Sequence, residues 1–211
     1  SACTKNKDVD RGIEIHVDVW KKDSLQNDVF IGSSLVDMYA KCRFFTKAQQ
    51  LFDELPVRNV VSWNVIIAGC TRNEHMIDAL YSFEQMQLEG ISPNVVTYIS
   101  TLKACGSVRA IGIGARIHDE IQQKGFLEKD SVIGNALVHM YLKCGFMMKA
   151  QEVFDNILNR SSTTWNTLIG GYMKHDYCHE AFNCFKLMKL EGISPDALTF
   201  ACTLRACAGI G

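Results

Sequence analysis

The sequence predicts an all-α fold, an α-solenoid built from helix-turn-helix repeats. Three observations predict it. The stretch Asn59–Pro93 returns 102 residues later as Ser161–Pro195, with Trp63 on Trp165, Asn64 on Asn166, Phe83 on Phe185, Met86 on Met188, and LEGISP identical in both. Within that period, pieces of 31, 35 and 36 residues follow one another. Each piece reads as two short helices and a turn. A helix pair of this size cannot bury its apolar stripe alone, so a fixed period marks units stacked on their neighbours. The expected stack is a right-handed superhelix with first helices inside and second helices outside.

The chain divides at 1–27, 28–58, 59–93, 94–129, 130–160, 161–195 and 196–211, the first and last pieces being partial. The opening piece keeps little more than a second helix, Asp10 to Lys22. In 28–58, Leu35, Met38, Tyr39 and Cys42 share one helical face, and Phe45, Ala48, Leu51, Phe52 and Leu55 share the next. Pro56 stops that helix. In 59–93 the first stripe is Trp63, Ile66, Ile67 and Cys70; the second is Ala79, Leu80, Phe83, Met86 and Gln87. Gly90 suits a left-handed cap and Pro93 ends the unit. In 94–129, helices are expected over Thr97–Cys105 and Gly114–Lys124, with Gly125 as cap. The pattern then repeats, and the last piece stops after one helix. Residues 102 apart are expected to share burial. Trp63 and Trp165, in register with Ile66 and Leu168, belong to the core.

Apolar residues make up 47% of the 211, ample for a core, and the three prolines (Pro56, Pro93, Pro195) all sit at boundaries, leaving no linker. No apolar run approaches the ~20 residues that span a bilayer, so no membrane partner is expected. Ser1 to Asp10 is polar and carries no signal peptide. The opening SAC matches the later KAC and RAC, so the expectation is a chain that begins within a repeat, its targeting segment lying outside. The nine cysteines do not form a disulfide framework: Cys3, Cys105 and Cys207 are one period apart, as are Cys42 and Cys144, which marks a recurring small buried position. There is no CxxC. The densest His/Cys cluster, His175, Cys178, His179 and Cys184, has Asn73, Met76, Ile77 and Ser82 one period earlier, so it is not read as a metal site. No cofactor is implied. A net charge of −1 disfavours strong nonspecific nucleic-acid binding, which rests on Lys and Arg, but leaves room for binding on one face.

The residues now carry a specific resemblance. VSWNVIIAGC…ALYSFEQMQLEGISPN, DVFIGSSLVDMYAKC…AQQLFDELPVRN and TYISTLKACGSV…GARIHDEIQQKGF resemble the standard (P), short (S) and long (L) motifs of pentatricopeptide repeat proteins, plant PLS subclass. IHVDVWK (Ile15 to Lys21) is an earlier copy of the long motif's second helix. The tetratricopeptide repeat, a protein-binding helix pair of constant 34-residue period, fits less well because three lengths alternate here. The resemblance implies sequence-specific binding of single-stranded RNA at one base per repeat, in a chloroplast or mitochondrion, for C-to-U editing or other RNA processing, with editing-complex proteins as further partners. An editing deaminase needs H-x-E and C-x-x-C. His118-Asp119-Glu120 supplies the first letters with no CxxC after them, so His118 is read as packing and the chain as no enzyme.

The resemblance also implies site residues: the fifth and last residues of each motif read the base. The pairs are Ser33 with Asn59, Asn64 with Asn94, Ile99 with Asp130, Asn135 with Ser161, and Asn166 with Asp196. Asn donates and accepts, whereas ionised Asp only accepts. Asn, Asp and Ser near helix starts also cap helices, a reading open for Asn94, Asp130 and Asp196. Ile99 has no hydrogen-bonding group and its motif is expected to read weakly; Ala201 is similar. The second residues, Phe30, Val61, Val96, Val132, Thr163 and Leu198, are expected to pack on base faces, with ordinary inter-repeat packing as the alternative. Lys41, Arg72, Lys103, Lys143, Lys174 and Arg205 recur near inner-helix ends, suited to phosphates or to helix C-termini.

The rival function is a protein-interaction scaffold. Apolar surface at the two ends leads to an expectation of end-to-end self-association.

Overall fold

The computed structural model describes residues 11–18, 29–42 and 44–210. Every regular element among the described residues is a helix. The chain falls into two compact units, residues 1–101 and 102–211, divided within one helix.

Unit 1 begins with α1 (residues 11–18), which lies within the expected Asp10–Lys22 helix; the remainder of that helix and Cys3 lie outside the described residues. It continues with α2 (Val29–Lys41), α3 (Phe45–Glu54), α4 (Val60–Arg72), α5 (Met76–Leu88) and the first half of α6 (Val95–Val108). Helix α4 starts because Asn59 and Ser62 exchange side-chain and backbone bonds in a capping box. Its stripe Trp63, Ile66, Ile67 and Cys70 is no more than 4% exposed. Helix α3 ends at Glu54, two residues before Pro56, and α5 ends where Gly90 turns to φ +74°. First helices contact one another (α2 with α4), while each also packs on its own second helix (α2 with α3, α4 with α5). Gly69 lets α4 also approach α3, the second helix of the preceding piece: a Cβ there would stand 2.6 Å from Phe45.

Unit 2 holds the end of α6, then α7 (Ile111–Gln123), α8 (Phe126–Lys129), α9 (Ser131–Cys144), α10 (Met147–Asp155), α11 (Ser162–Lys174), α12 (Cys178–Leu190) and α13 (Ala197–Ile210). The same rule holds: α9 packs on α11 and α11 on α13, while α9·α10, α11·α12 and α12·α13 are neighbours. Trp165 is 2% exposed and meets Phe154 edge to face at 4.7 Å, as Trp63 meets Phe52 at 4.7 Å in unit 1.

The structure departs from the sequence reading in three places. The helices of 94–129 are longer than expected at both α6 ends. Gly125, at φ +63°, leads straight into the short α8, which periodicity over four residues could not reveal. Burial also fails to repeat along α13: Leu102 and Tyr98 are fully buried, whereas Leu204 is 70% and Phe200 50% exposed. Likewise Cys105 is buried and Cys207 exposed. The apolar pattern of α6 and α13 is alike, so the difference lies in what covers each helix, which a repeat pattern does not encode.

Candidate nucleic-acid interface

The fifth and last residues are brought together by the start of the following helix. In unit 1, Asn94 precedes α6 and its Oδ1 accepts from the Thr97 amide at 3.1 Å. The same Oδ1 accepts from Asn64 Nδ2 at 3.1 Å, and the Thr97 hydroxyl donates to Asn64 Oδ1 at 2.6 Å. In unit 2 the arrangement returns: Asp196 Oδ1 accepts from the Thr199 amide at 2.9 Å, Asn166 Nδ2 donates to Asp196 Oδ2 at 2.8 Å, and Thr199 donates to Asn166 Oδ1 at 2.6 Å. Thr97 and Thr199 are fully buried, and Asn94 and Asp196 are exposed. Capping and pairing are therefore not alternatives at Asn94 and Asp196; one side chain performs both. These bonds hold the Asp196 carboxyl below the ordinary Asp range, the Thr199 amide and hydroxyl contributing most.

The other pairs differ. Ser33 is 3% exposed and its hydroxyl reaches Asn59 Oδ1 only at 3.5 Å, while Asn59 caps α4 through the Ser62 amide at 2.9 Å. Ser161 caps α11 through Thr164 in a capping box. No hydrogen bond joins it to Asn135 among the described residues, and Asn135 Oδ1 is buried without a protein partner. Asp130 caps α9 by accepting from the Val132 amide at 2.8 Å. Ile99 is half-buried.

The second residues face outward. Phe30 is 76% exposed, Val61, Val96, Val132 and Leu198 are each at least half exposed, and Thr163 is exposed too.

The basic residues are unequal between units. In unit 1, Asp37 neutralises Lys41 at 2.6 Å. In unit 2 the position one period after Asp37 is His139, with Lys143 on the same helix. A groove of about 640 Å³ there is lined by Lys143, Lys174, Arg205, Arg109, His139 and Asn166, with no carboxylate in its lining. Partial withdrawal from water and the surrounding Lys143, Lys174 and Lys103 push His139 below the ordinary His value. Asn166 thus opens onto a cationic groove suited to phosphate.

Two groups escaped the sequence reading. Thr97 and Thr199 hold Asn64 and Asn166 in place, and their identity one period apart was the available signal. Arg58 and Arg160 were also missed. Arg160 donates to the carbonyls of Phe154 (3.3 Å) and Asp155 (2.8 Å) at the end of α10, and pairs with Glu191 at 2.6 Å; Arg58 does the same at Phe52, Asp53 and Glu89. His118 is packing: Nδ1 meets the Tyr141 hydroxyl at 2.9 Å. No His/Cys/Asp/Glu group suited to a metal occurs among the described residues, and none of their helices is long and apolar enough to cross a membrane.

The sequence model described as the PPR repeat family matches residues 58–107 and 160–209, and that of the single PPR repeat matches 33–60 and 135–161. The chain belongs to the PPR repeat family. Among its curated relatives are a chloroplastic pentatricopeptide repeat-containing protein of Arabidopsis thaliana, 38% identical over 94% of this chain and 32% of its own length, and a mitochondrial one, 36% identical over 96% of this chain and 20% of its own. This PPR chain spans about a third or less of the length of such relatives. Its fold is that of PPR10, crystallised in complex with an 18-nucleotide psaJ RNA element: TM-score 0.71 at 21% identity, over 94% of this chain and 30% of that one. A second crystal structure, of PPR10 from maize, gives 0.66 at 24% identity, over 92% of this chain and 29% of that one. The all-α repeat-solenoid class follows.

Proposed function

We propose that this chain is a single-stranded RNA-binding module whose short, standard and long motifs alternate, dividing at 28–58, 59–93, 94–129, 130–160 and 161–195 with partial long motifs at 1–27 and 196–211. It serves target recognition in organellar C-to-U editing or other RNA processing. The observation that carries this reading is the repeated Asn-to-cap pair. Asn64/Asn94 and Asn166/Asp196 sit in the same bonded geometry 102 residues apart, yet end in different chemistry. One pair offers an amide that donates and accepts; the other offers a carboxylate that only accepts. A scaffold that fixes geometry and varies the terminal group suits discrimination between base edges. The exposed second residues supply surface for base faces; of the six, Phe30 alone is aromatic and can stack a base, worth ~1–3 kcal/mol.

Chloroplastic and mitochondrial relatives support an organellar location. The crystallised PPR10 complex with RNA supports single-stranded RNA as the partner. Any deamination belongs to a separate domain or a recruited protein. By the code that the family resemblance implies, read parallel to the RNA, Ser33/Asn59 selects A, Asn64/Asn94 a pyrimidine, Ile99/Asp130 leaves a base open, Asn135/Ser161 leans to C, and Asn166/Asp196 selects U: 5′-A-Y-N-C-U-3′. Fluorescence anisotropy with a labelled single strand carrying this core tests it. The expected affinity is roughly micromolar or weaker and falls as salt rises. Equal affinity for the fully paired duplex, or none for any single strand in low salt, would overturn it.

Phe200 and Leu204 on α13, both exposed, favour association with protein as a second activity, either self-association or docking of editing-complex partners. Sedimentation in reducing buffer tests self-association: an assembly abolished by Leu204→Glu is expected, and a strict monomer at high concentration rejects it.

A further inference from the structure

The two 31-residue copies differ in charge on their first helix. On α2, Asp37 accepts from Lys41, one turn further on, at 2.6 Å. One period later, α9 keeps the lysine as Lys143 and places His139 where the acid stood. His139 is exposed and makes no hydrogen bond among the described residues. It shares the groove of about 640 Å³ with Lys143 of its own helix, Arg109 after α6, Lys174 and His175 at the end of α11, and Arg205 of α13. Lys103 of α6 adds its charge from nearby. The charged groups of α7 and α10 that reach α9, Asp119, Lys149 and Glu152, act on His118 and Tyr141 rather than on His139. The unliganded cluster is therefore all cationic and self-repelling. Partial withdrawal from water, then Lys143, Lys174 and Lys103, hold the imidazole below its ordinary value, so it is mainly neutral at pH 7.

We propose that His139 makes RNA binding in this groove proton-linked: a phosphodiester lodged among Lys143, Lys174 and Arg205 draws a proton onto the imidazole, and affinity rises as pH falls. This rests on the chain being an RNA-binding module. A phosphodiester keeps its negative charge throughout the neutral range, so the titrating group is the protein's. The opposite charge beside the ring offsets the three lysines and favours imidazolium. The bound state then holds the proton more tightly than the free state. Affinity climbs as pH falls through the bound-state pKa and levels off below the free-state one. The equivalent place on α2 holds Asp37, which already neutralises Lys41, so the linkage belongs to the α9 copy. His175 is the second imidazole of the groove, but its Nε2 meets the Leu142 carbonyl at 2.9 Å, which holds it on the backbone.

The test is fluorescence anisotropy with a labelled single-stranded RNA carrying the 5′-A-Y-N-C-U-3′ core, at pH 8, 7 and 6 and constant ionic strength. The parent should bind about fivefold more tightly at pH 6 than at pH 8, as a pKa rise of somewhat under one unit on binding requires. Acid unfolding would act in the opposite direction. His139→Gln should cut the gain to less than about twofold, and His175→Gln should keep it. His139→Asp, which copies α2, should bind more weakly than the parent with a shallower dependence on salt, because one lysine is neutralised. Calorimetry of the parent near pH 6.5, in two buffers of different ionisation enthalpy, should show net proton uptake on binding. Measurable binding that is no tighter at pH 6 than at pH 8, an equal gain in His139→Gln, or no proton uptake would each overturn the proposal and leave RNA binding standing. No single strand bound at any pH would overturn the RNA-binding reading and this proposal with it. If His139→Gln lacks the parent's helical circular dichroism, the calorimetry decides alone.

Discussion

Asn166 donates to Asp196 Oδ2 at 2.8 Å while Asp196 Oδ1 accepts from the Thr199 amide at 2.9 Å. One carboxylate therefore starts helix α13 and orients the residue facing the groove. The helix cap and the partner of the groove residue are one side chain, and this is repeated with an amide at Asn94.

Thr199 is the hinge pin of that arrangement. Its hydroxyl donates to Asn166 at 2.6 Å and accepts from the Asp196 amide at 3.1 Å. Thr199→Val keeps the shape and removes both bonds, leaving a backbone N–H unpaired. A loss of ~1–2 kcal/mol is expected in urea unfolding, and the same for Thr97→Val. Stability within ~0.3 kcal/mol of the parent in both variants would show that the bonds are incidental.

Acidity should weaken the fold through histidine. His118 lies against Tyr141, and burial holds its pKa below the ordinary value near 6.5. The unfolded chain then binds the proton more readily than the folded one, so stability is full above pH 6.5 and declines as pH falls from there toward the folded pKa. The check is the difference between parent and His118→Gln across pH 7 to 5. The parent should lose stability relative to the variant; a difference independent of pH would contradict the assignment.

Arg160 should matter more than its surface position suggests. It closes the end of α10, stacks over Phe154 at 4.9 Å and pairs with Glu191. Arg160→Ala should cost about 1–2 kcal/mol. Arg160→Lys should recover little of it, because an ammonium cannot serve two carbonyls, a ring and a carboxylate at once. Thermal unfolding that ranks Lys with Arg would argue for a plain charge effect.

The helices were legible because their apolar stripes recur at helical spacing, as at Trp63, Ile66, Ile67 and Cys70, and because the period doubled every observation. What the period could not show was difference between copies. His139 for Asp37 is a single letter in the sequence, yet it replaces the acid that pairs with Lys41 one period earlier. The pairs Asn64/Asn94 and Asn166/Asp196 came from the family resemblance, but their bonds to the buried Thr97 and Thr199 are visible only in three dimensions. Asn135 and Ser161 share the motif positions without sharing a bond, because the Ser161 side chain is too short to do more than cap α11 through Thr164.

If the pair Asn166/Asp196 reads a base as proposed, its preference should be rewritten while the helix cap is kept. Asp196→Asn keeps the cap, since Asn94 already accepts from Thr97 in the same way and Asn and Asp are equivalent there. Asn166→Ser removes both the amide that reaches the carboxylate and the oxygen that accepts from Thr199, so some loss of stability accompanies it. The double variant Asn166→Ser/Asp196→Asn copies the residue types of Ser33/Asn59, so the preferred RNA should move from 5′-AYNCU to 5′-AYNCA. A swing of ~1–2 kcal/mol, about the cost of one mismatched base, is expected in low-salt anisotropy with both RNAs and both proteins. Asp196→Asn alone isolates the carboxylate: its U preference should fall while its helicity and Tm stay near the parent. If all proteins bind both RNAs equally while retaining the parent Tm, Asn166 and Asp196 are cap and brace, and the base is read elsewhere.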